Sequence, residues 1–236
     1  MKSERIPVKS FSADNGFIGK MQKLVREEVL PYQYNILNDA IPGIEKSHAI
    51  ENIRLAAEKL RGKDVKPDEF YGMVFQDSDV AKWIEAAAYA LAAGEDPELE
   101  KAVDETIQLY GASQHEDGYV DSYFTVKCPD KMWTNICDAH ELYCAGHMME
   151  AAVAYYEVTG KRELLDIMSK SADCIYEQFM KKNTRAYPGH PEVELALMRL
   201  WRATGNEKYK ELAKHFVDVR GQAPVSYTHL RAHETR

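Results

Sequence analysis

Apolar residues recur at intervals of three and four through most of the chain, which is the rhythm of helices with one buried face. Three segments share one layout: an Ala-rich helix, a Gly turn and a second amphipathic helix. They are Trp83 to Gly94 followed by Glu95-Asp-Pro-Glu-Leu99, Glu150 to Gly160 followed by Lys161-Arg-Glu-Leu-Leu165, and Leu195 to Gly205 followed by Asn206-Glu-Lys-Tyr209. Gly94, Gly160 and Gly205 stand where a helix C-terminus favours a left-handed residue. Asp96-Pro97 has the form of an N-cap with Pro in the first turn, and Asn206 is a second candidate cap. Beyond each turn the apolar steps resume, at Leu99, Val103, Ile107 and Tyr110, at Leu164, Met168 and Ile175, and at Tyr209, Leu212 and Phe216. Upstream, the pattern predicts a helix over 15–38 interrupted at Pro31, another over 47–60, and a loop over 61–75. No segment alternates as paired strands do. The reading is an all-α chain of about eight helices, arranged as hairpins. The unequal spacing of the turn glycines favours a decorated toroid over a regular solenoid.

Composition narrows the functions available. Of 236 residues, 45% are hydrophobic and 29% charged, with a formal net charge of −8. These are ordinary values for a globular protein. No basic stripe is present to neutralise phosphates, so nucleic acid is not an expected partner. No apolar run is long enough to span a bilayer, and no signal-peptide core follows Met1, so neither a membrane nor export is expected. Four cysteines, at 128, 137, 144 and 174, form no disulfide framework. The expected compartment is the cytoplasm.

The densest chemistry lies in Trp133-Thr-Asn-Ile-Cys-Asp-Ala-His-Glu-Leu-Tyr-Cys-Ala-Gly-His147. Its Cys137, His140, Cys144 and His147 follow steps of one helix face, as either a polar pocket wall or a buried stripe of core residues. A complete local metal site is disfavoured. At 1.5 Å per residue the ends of the stripe lie roughly 15 Å apart, whereas zinc ligands lie within about 2.3 Å of one ion. Other unusual residues fall between hairpins. Phe75-Gln-Asp-Ser-Asp79 offers two carboxylates that are caps or site residues, and Ala186-Tyr-Pro-Gly-His190 places a His beyond a turn. Tyr119, Tyr123 and Trp133 are either core aromatics or stacking faces. Aromatics with His, Asp and Gln at one end of successive hairpins suit sugar recognition.

Phe75-Gln-Asp-Ser-Asp-Val-Ala-Lys-Trp83, Gln114-His-Glu-Asp-Gly-Tyr119, His140-Glu-Leu-Tyr-Cys-Ala-Gly-His147 and Tyr187-Pro-Gly-His190, in this order, resemble glycoside hydrolase family 127, the β-L-arabinofuranosidases. The resemblance covers residues 6 to 222 and about the first third of a typical member. It implies an (α/α)6 barrel, present here as an incomplete barrel of helical hairpins. It also implies a retaining hydrolase releasing terminal β-L-arabinofuranosyl residues from an arabinofuranoside or related glycan. In that chemistry a zinc-held Cys thiolate is the nucleophile and a Glu the acid/base. Both, with the zinc ligands, are expected downstream of this chain, so no catalytic or metal residue is assigned and the chain alone is expected to be inactive and to bind no zinc. By resemblance, His140 and His190 are substrate-contacting, with Asp79, Tyr143 and His147 as neighbours.

After Gln222 the helical period stops, and Val225-Ser-Tyr-Thr-His-Leu-Arg-Ala-His-Glu-Thr235 resembles a translated sequencing adaptor. The expected division is therefore 1–222 as the N-terminal part of the barrel and 223–236 as an artefactual or disordered tail. With the barrel incomplete, an apolar edge is expected to be exposed. Two other functions fit the same residues: a sugar epimerase or isomerase moving protons through His140 and His190, and a non-catalytic helical-repeat scaffold.

Overall fold

The computed structural model describes residues 6–10, 13, 16–182 and 186–220. Its α-helices are α1 (Gly16–Leu24), α2 (Leu30–Leu37), α3 (Ala49–Leu60), α4 (Asp77–Ala93), α5 (Pro97–Ala112), α6 (Ser122–Lys127), α7 (Glu141–Thr159), α8 (Glu163–Tyr176), α9 (Val193–Thr204) and α10 (Glu207–Val219). No strand occurs among the described residues. The expected tail, 223–236, lies outside them.

The three hairpins are present as α4–α5, α7–α8 and α9–α10. Asp96 caps α5 by accepting from the Leu99 amide at 3.1 Å, and Asn206 caps α10 through the Lys208 amide at 3.3 Å. Gly160 and Gly205 are left-handed, at φ 78° and 74°. Gly94 differs from expectation: its backbone is extended, at φ 172° and ψ 154°, so this turn does not use a left-handed C-cap. The N-terminal helix also departs from the reading. It is not broken at Pro31; the distortion is a π turn over Val25–Val29, directly upstream of the proline. Proline lacks an N–H and crowds the carbonyl four residues back, and a widened turn there accommodates both.

Helices α4, α7 and α9 form an inner layer, with α5, α8 and α10 packed outside them. Composition explains the layering. The outer helices are amphipathic, burying Leu99, Val103 and Ile107, then Leu164, Leu165 and Met168, then Tyr209, Leu212 and Phe216. Helix α7 is apolar around its circumference, with Leu142, Met148, Ala151, Val153 and Tyr155 all buried. Such a helix belongs in the middle. Small residues let its neighbours come close: a Cβ on Gly146 would lie 3.0 Å from the Val193 amide nitrogen at the start of α9.

The inner helices run parallel, because cross-helix pairs advance in step. Lys82 meets Tyr143, His147 meets Glu192, and one turn further Glu85 and Glu150 meet Arg199. The N-termini of α4, α7 and α9 therefore share one end of the layer. The Arg199 guanidinium joins all three helices: it donates to Glu85 at 3.2 Å, to the Tyr89 hydroxyl at 3.2 Å, and to Glu150. The expected apolar edge is present on the first helix and the last hairpin, where Phe17, Ile18, Leu195 and Val217 are exposed.

Truncating Arg199 would leave Glu150 and Glu85 without the cation that neutralises them in a largely buried setting. Arg199→Ala is expected to destabilise the chain by about 3 kcal/mol, in the range for breaking such pairs. Urea unfolding followed by circular dichroism checks this; a loss below about 1 kcal/mol would show that the tie is not structural.

Candidate functional site

The shared end of the inner layer gathers residues from all three hairpins. His140 directly precedes α7 in a left-handed conformation, φ 63°. That is uncommon for a side chain bearing a Cβ. Its Nδ1 lies 2.6 Å from the Asp138 carbonyl, which can only accept, so Nδ1 carries the hydrogen. His190 arrives from the loop before α9, and its Nε2 is 3.3 Å from the His140 Nε2. Tyr143 sits among the histidines, with ring centroids 5.6 Å from His140, 5.0 Å from His190 and 4.4 Å from His147. Phe75 closes one side, 5.2 Å from the His140 ring.

Glycine makes this convergence possible. A Cβ on Gly189 would collide with the Cys137 carbonyl oxygen. The Tyr187-Pro-Gly-His190 turn is thus pressed against the chain that leads into His140, and only a residue without a side chain fits.

The cluster's charges are set by burial and by Lys82. The Lys82 ammonium donates to the Tyr143 hydroxyl at 3.0 Å and to Ser78 Oγ at 3.2 Å. Burial, with smaller contributions from Lys82 and His190, pulls His147 down to about 4. Glu192, whose Oε1 is 3.4 Å from His147 Nδ1, is pushed up to about 7 by burial and by the nearby Glu150 and Glu85. Between those values both partners are uncharged, so the contact is not an ion pair there.

Beneath His140 lies a buried acid. Glu141, the first residue of α7, accepts from the Tyr119 hydroxyl at 2.7 Å and from the Trp133 amide at 3.0 Å. Burial raises it to about 7 against these opposing hydrogen bonds. Further in, Asp77 accepts from the Ser122 amide at 2.8 Å and from its hydroxyl, while Asp121 caps α6 through the Phe124 amide at 3.0 Å. Burial raises both carboxyls.

His140, Tyr143, His147 and His190 therefore lie together, and Asp79 stands near Lys82 at the same end. It is exposed on the first turn of α4 and feels the cluster through Lys82. The expected Cys137–His147 stripe is not a helix face, because α7 begins at Glu141 and the left-handed His140 turns the preceding residues away. The continuous face is His140, Tyr143 and His147. Asp77 is no cap but a cross-link to α6. Tyr119, Tyr123 and Trp133 pack edge-on against Trp133, Phe70 and Phe179 respectively, as core aromatics. Sequence reasoning missed Lys82, Glu141 and Glu192 as partners. The only sequence signal for Lys82 and Glu141 was their presence inside quoted motifs. Past Glu192 the inner face continues as a groove of about 590 Å³ beside Glu150, Leu195, Arg199 and Arg202, large enough for a small ligand.

Residues 12–235 match the family model described as β-L-arabinofuranosidase, GH127 catalytic domain. The chain belongs to glycoside hydrolase family 127. It is 42% identical to a non-reducing end β-L-arabinofuranosidase from Bifidobacterium longum subsp. longum, over 85% of this chain and 32% of that protein. Its fold matches the crystal structure of a family 127 β-L-arabinofuranosidase from Geobacillus stearothermophilus T6, with TM-score 0.82 and 49% identity, over 93% of this chain and 34% of the other. A family 127 β-arabinofuranosidase superposes with TM-score 0.84 at 32% identity, over 97% of this chain and 36% of that one. The chain thus spans about a third of the length of these family 127 relatives, and its all-helical fold matches the part of each structure that it covers.

Two outcomes follow from the geometry. Gly189→Ala is expected to cost about 2 kcal/mol or more, since the Cys137 backbone must move. It should also separate the two histidines, seen as loss of the His140–His190 ring contact by NMR; an unchanged contact would refute the packing argument. Glu141 supplies the pH dependence. Its folded value lies above its ordinary one, so its contribution is full below about 4.5 and is lost as pH rises through about 7. Asp77 and Asp121 act in the same sense. Glu192 does too, but His147, lowered from 6.5, loses its contribution as pH falls towards 4 and offsets it. The chain should melt at a higher temperature at pH 5 than at pH 8, with a Glu141 share on the order of 3 kcal/mol. Glu141→Gln keeps an acceptor oxygen and should flatten that slope; equal slopes in both proteins would exclude Glu141 as the cause.

Proposed function

We propose that this chain forms the part of a retaining β-L-arabinofuranosidase that recognises the sugar, with His140, His190, Tyr143 and His147 as its contact surface. The observation that carries the reading is the approach of His140 and His190, 50 residues apart in sequence, to 3.3 Å at the shared end of the inner helices. Family membership gives that pair its context. Its chemistry suits hydroxyl groups. Neutral imidazoles offer both donors and acceptors, and a sugar hydroxyl requires both. Tyr143 and Phe75 provide apolar faces for the ring carbons. Asp79 has a lesser role at the rim. The activity proposed for the whole protein is release of terminal β-L-arabinofuranosyl residues.

The family resemblance implies a zinc-held Cys nucleophile, and the residues described here do not fit that group. Among them no three His, Cys, Asp or Glu side chains converge as a metal site. The thiols of Cys144 and Cys174 are buried and pushed up, the reverse of what a thiolate ligand needs. The free cysteines suit the reducing conditions of the cytoplasm, the compartment we propose. No helix among the described residues is long and apolar enough to cross a membrane.

The test is ligand binding followed at the histidines. Adding methyl β-L-arabinofuranoside to the chain should perturb the imidazole resonances of His140 and His190 together. His140→Ala and His190→Ala should each weaken binding about tenfold or more, equivalent to at least one lost hydrogen bond to a hydroxyl. Equal affinity in the variants would overturn the assignment. Interconversion of free sugars by the chain alone would favour an epimerase instead, and tight glycan binding indifferent to His140→Ala would favour a scaffold.

A further inference from the structure

Lys82 has no role in the recognition just described, yet it occupies the centre of the cluster. It projects from the second turn of α4, where Ser78, one turn earlier, accepts from its ammonium at 3.2 Å. The same ammonium crosses to α7, donates to the Tyr143 hydroxyl at 3.0 Å and lies 5.0 Å from that ring's centroid. Tyr143 in turn touches the rings of His140, His147 and His190. One cation therefore holds the aromatic side chain that three imidazoles pack against.

We propose that Lys82 is a positioning residue of the sugar site: its ammonium fixes the Tyr143 ring among His140, His147 and His190 and sets a positive charge beside them.

The surroundings of His147 support the electrostatic half. Lys82 faces it from α4, Tyr143 from its own helix, Glu192 from the start of α9 at 3.4 Å, and His190 from the preceding loop. Glu85 and Glu150 stand one turn further along, both paired with the one Arg199 guanidinium. Burial is the largest cause of the lowered His147, and Lys82 is the second. Within reach of His147, Glu192 is the group that would favour an imidazolium, and it is itself held protonated up to about 7. Lys82 is the charged side chain that contributes directly to lowering His147. An uncharged His147 beside the Lys82 ammonium accepts polyols and disfavours cationic ligands such as amino sugars. This specificity rests on the proposed sugar site, whereas the effect of Lys82 on His147 does not.

The experiment is an NMR titration of the imidazole Cε1–H signals in the intact chain, with no ligand. In Lys82→Met the His147 midpoint should move up by about one unit, the shift expected for removing a unit charge across a partly screened contact. Lys82→Arg should leave it near its original value. Tyr143→Phe, which loses only the hydroxyl that Lys82 grips, should move it in the same direction by less. Lys82 is exposed, so these variants should keep the fold, and the unchanged resonances of the Tyr119–Glu141 region would show it. Identical His147 midpoints in Lys82→Met and the parent would overturn the proposal, as would an upward shift of equal size in Lys82→Arg. Neither result depends on whether the site binds arabinofuranosides, so failure here is distinct from failure of the sugar reading.

Discussion

Close, parallel packing of α4, α7 and α9 is the constraint on which the rest depends. It requires small residues where the helices touch, and Gly146 against the start of α9 shows how little room there is. Parallel helices in register bring three N-termini to one end, together with the loops that feed them. The first turns there carry Asp77 and Asp79, Glu141, and Glu194, which complement the positive ends of the helix dipoles. Each hairpin's outer helix then seals the apolar side. The polar cluster can exist because the apolar work is done elsewhere, by α5, α8 and α10.

The same packing creates an electrostatic gradient along the inner face. Nearest the N-terminal end stand His140, His190 and Tyr143, groups without fixed charge. One turn in, Lys82 and the His147–Glu192 contact share a small number of protons among several acceptors. Another turn in, Arg199 pairs with both Glu85 and Glu150, and these two carboxylates add to the burial that raises Glu192.

Much of the architecture could be read from local pattern. Asp96-Pro97, Gly160, Gly205 and the three-and-four spacing beyond each turn encode the hairpins within a few residues of themselves, so no tertiary information was needed. The failures are equally physical. Gly94 looked like its counterparts, yet its backbone is extended. The Cys137 to His147 stripe had helical spacing, yet the helix begins only after His140, because a left-handed residue interrupts the phase. Periodicity cannot register one reversed φ. Tyr119, Tyr123 and Trp133 could be placed in core or pocket alike until Phe70, Phe179 and Glu141 were known to surround them.

What could not be read were pairings across the fold. Lys82 meets Tyr143 across 61 residues and Arg199 meets Glu85 across 114, and neither separation leaves a mark on local composition. Such contacts follow from register between helices, which is set by the small residues at their interfaces. The motifs that resemble family 127 carried these partners without explaining them: Lys82 lies in one motif, Tyr143 and His147 in another, and His190 in a third. Their separation along the chain and convergence in space have one cause. A sugar hydroxyl needs donors and acceptors on different sides of it, and a single helix presents its side chains from one side only. Three parallel helices ending together meet that need, so a polyol site on this fold must draw on several hairpins, and its motifs must be scattered.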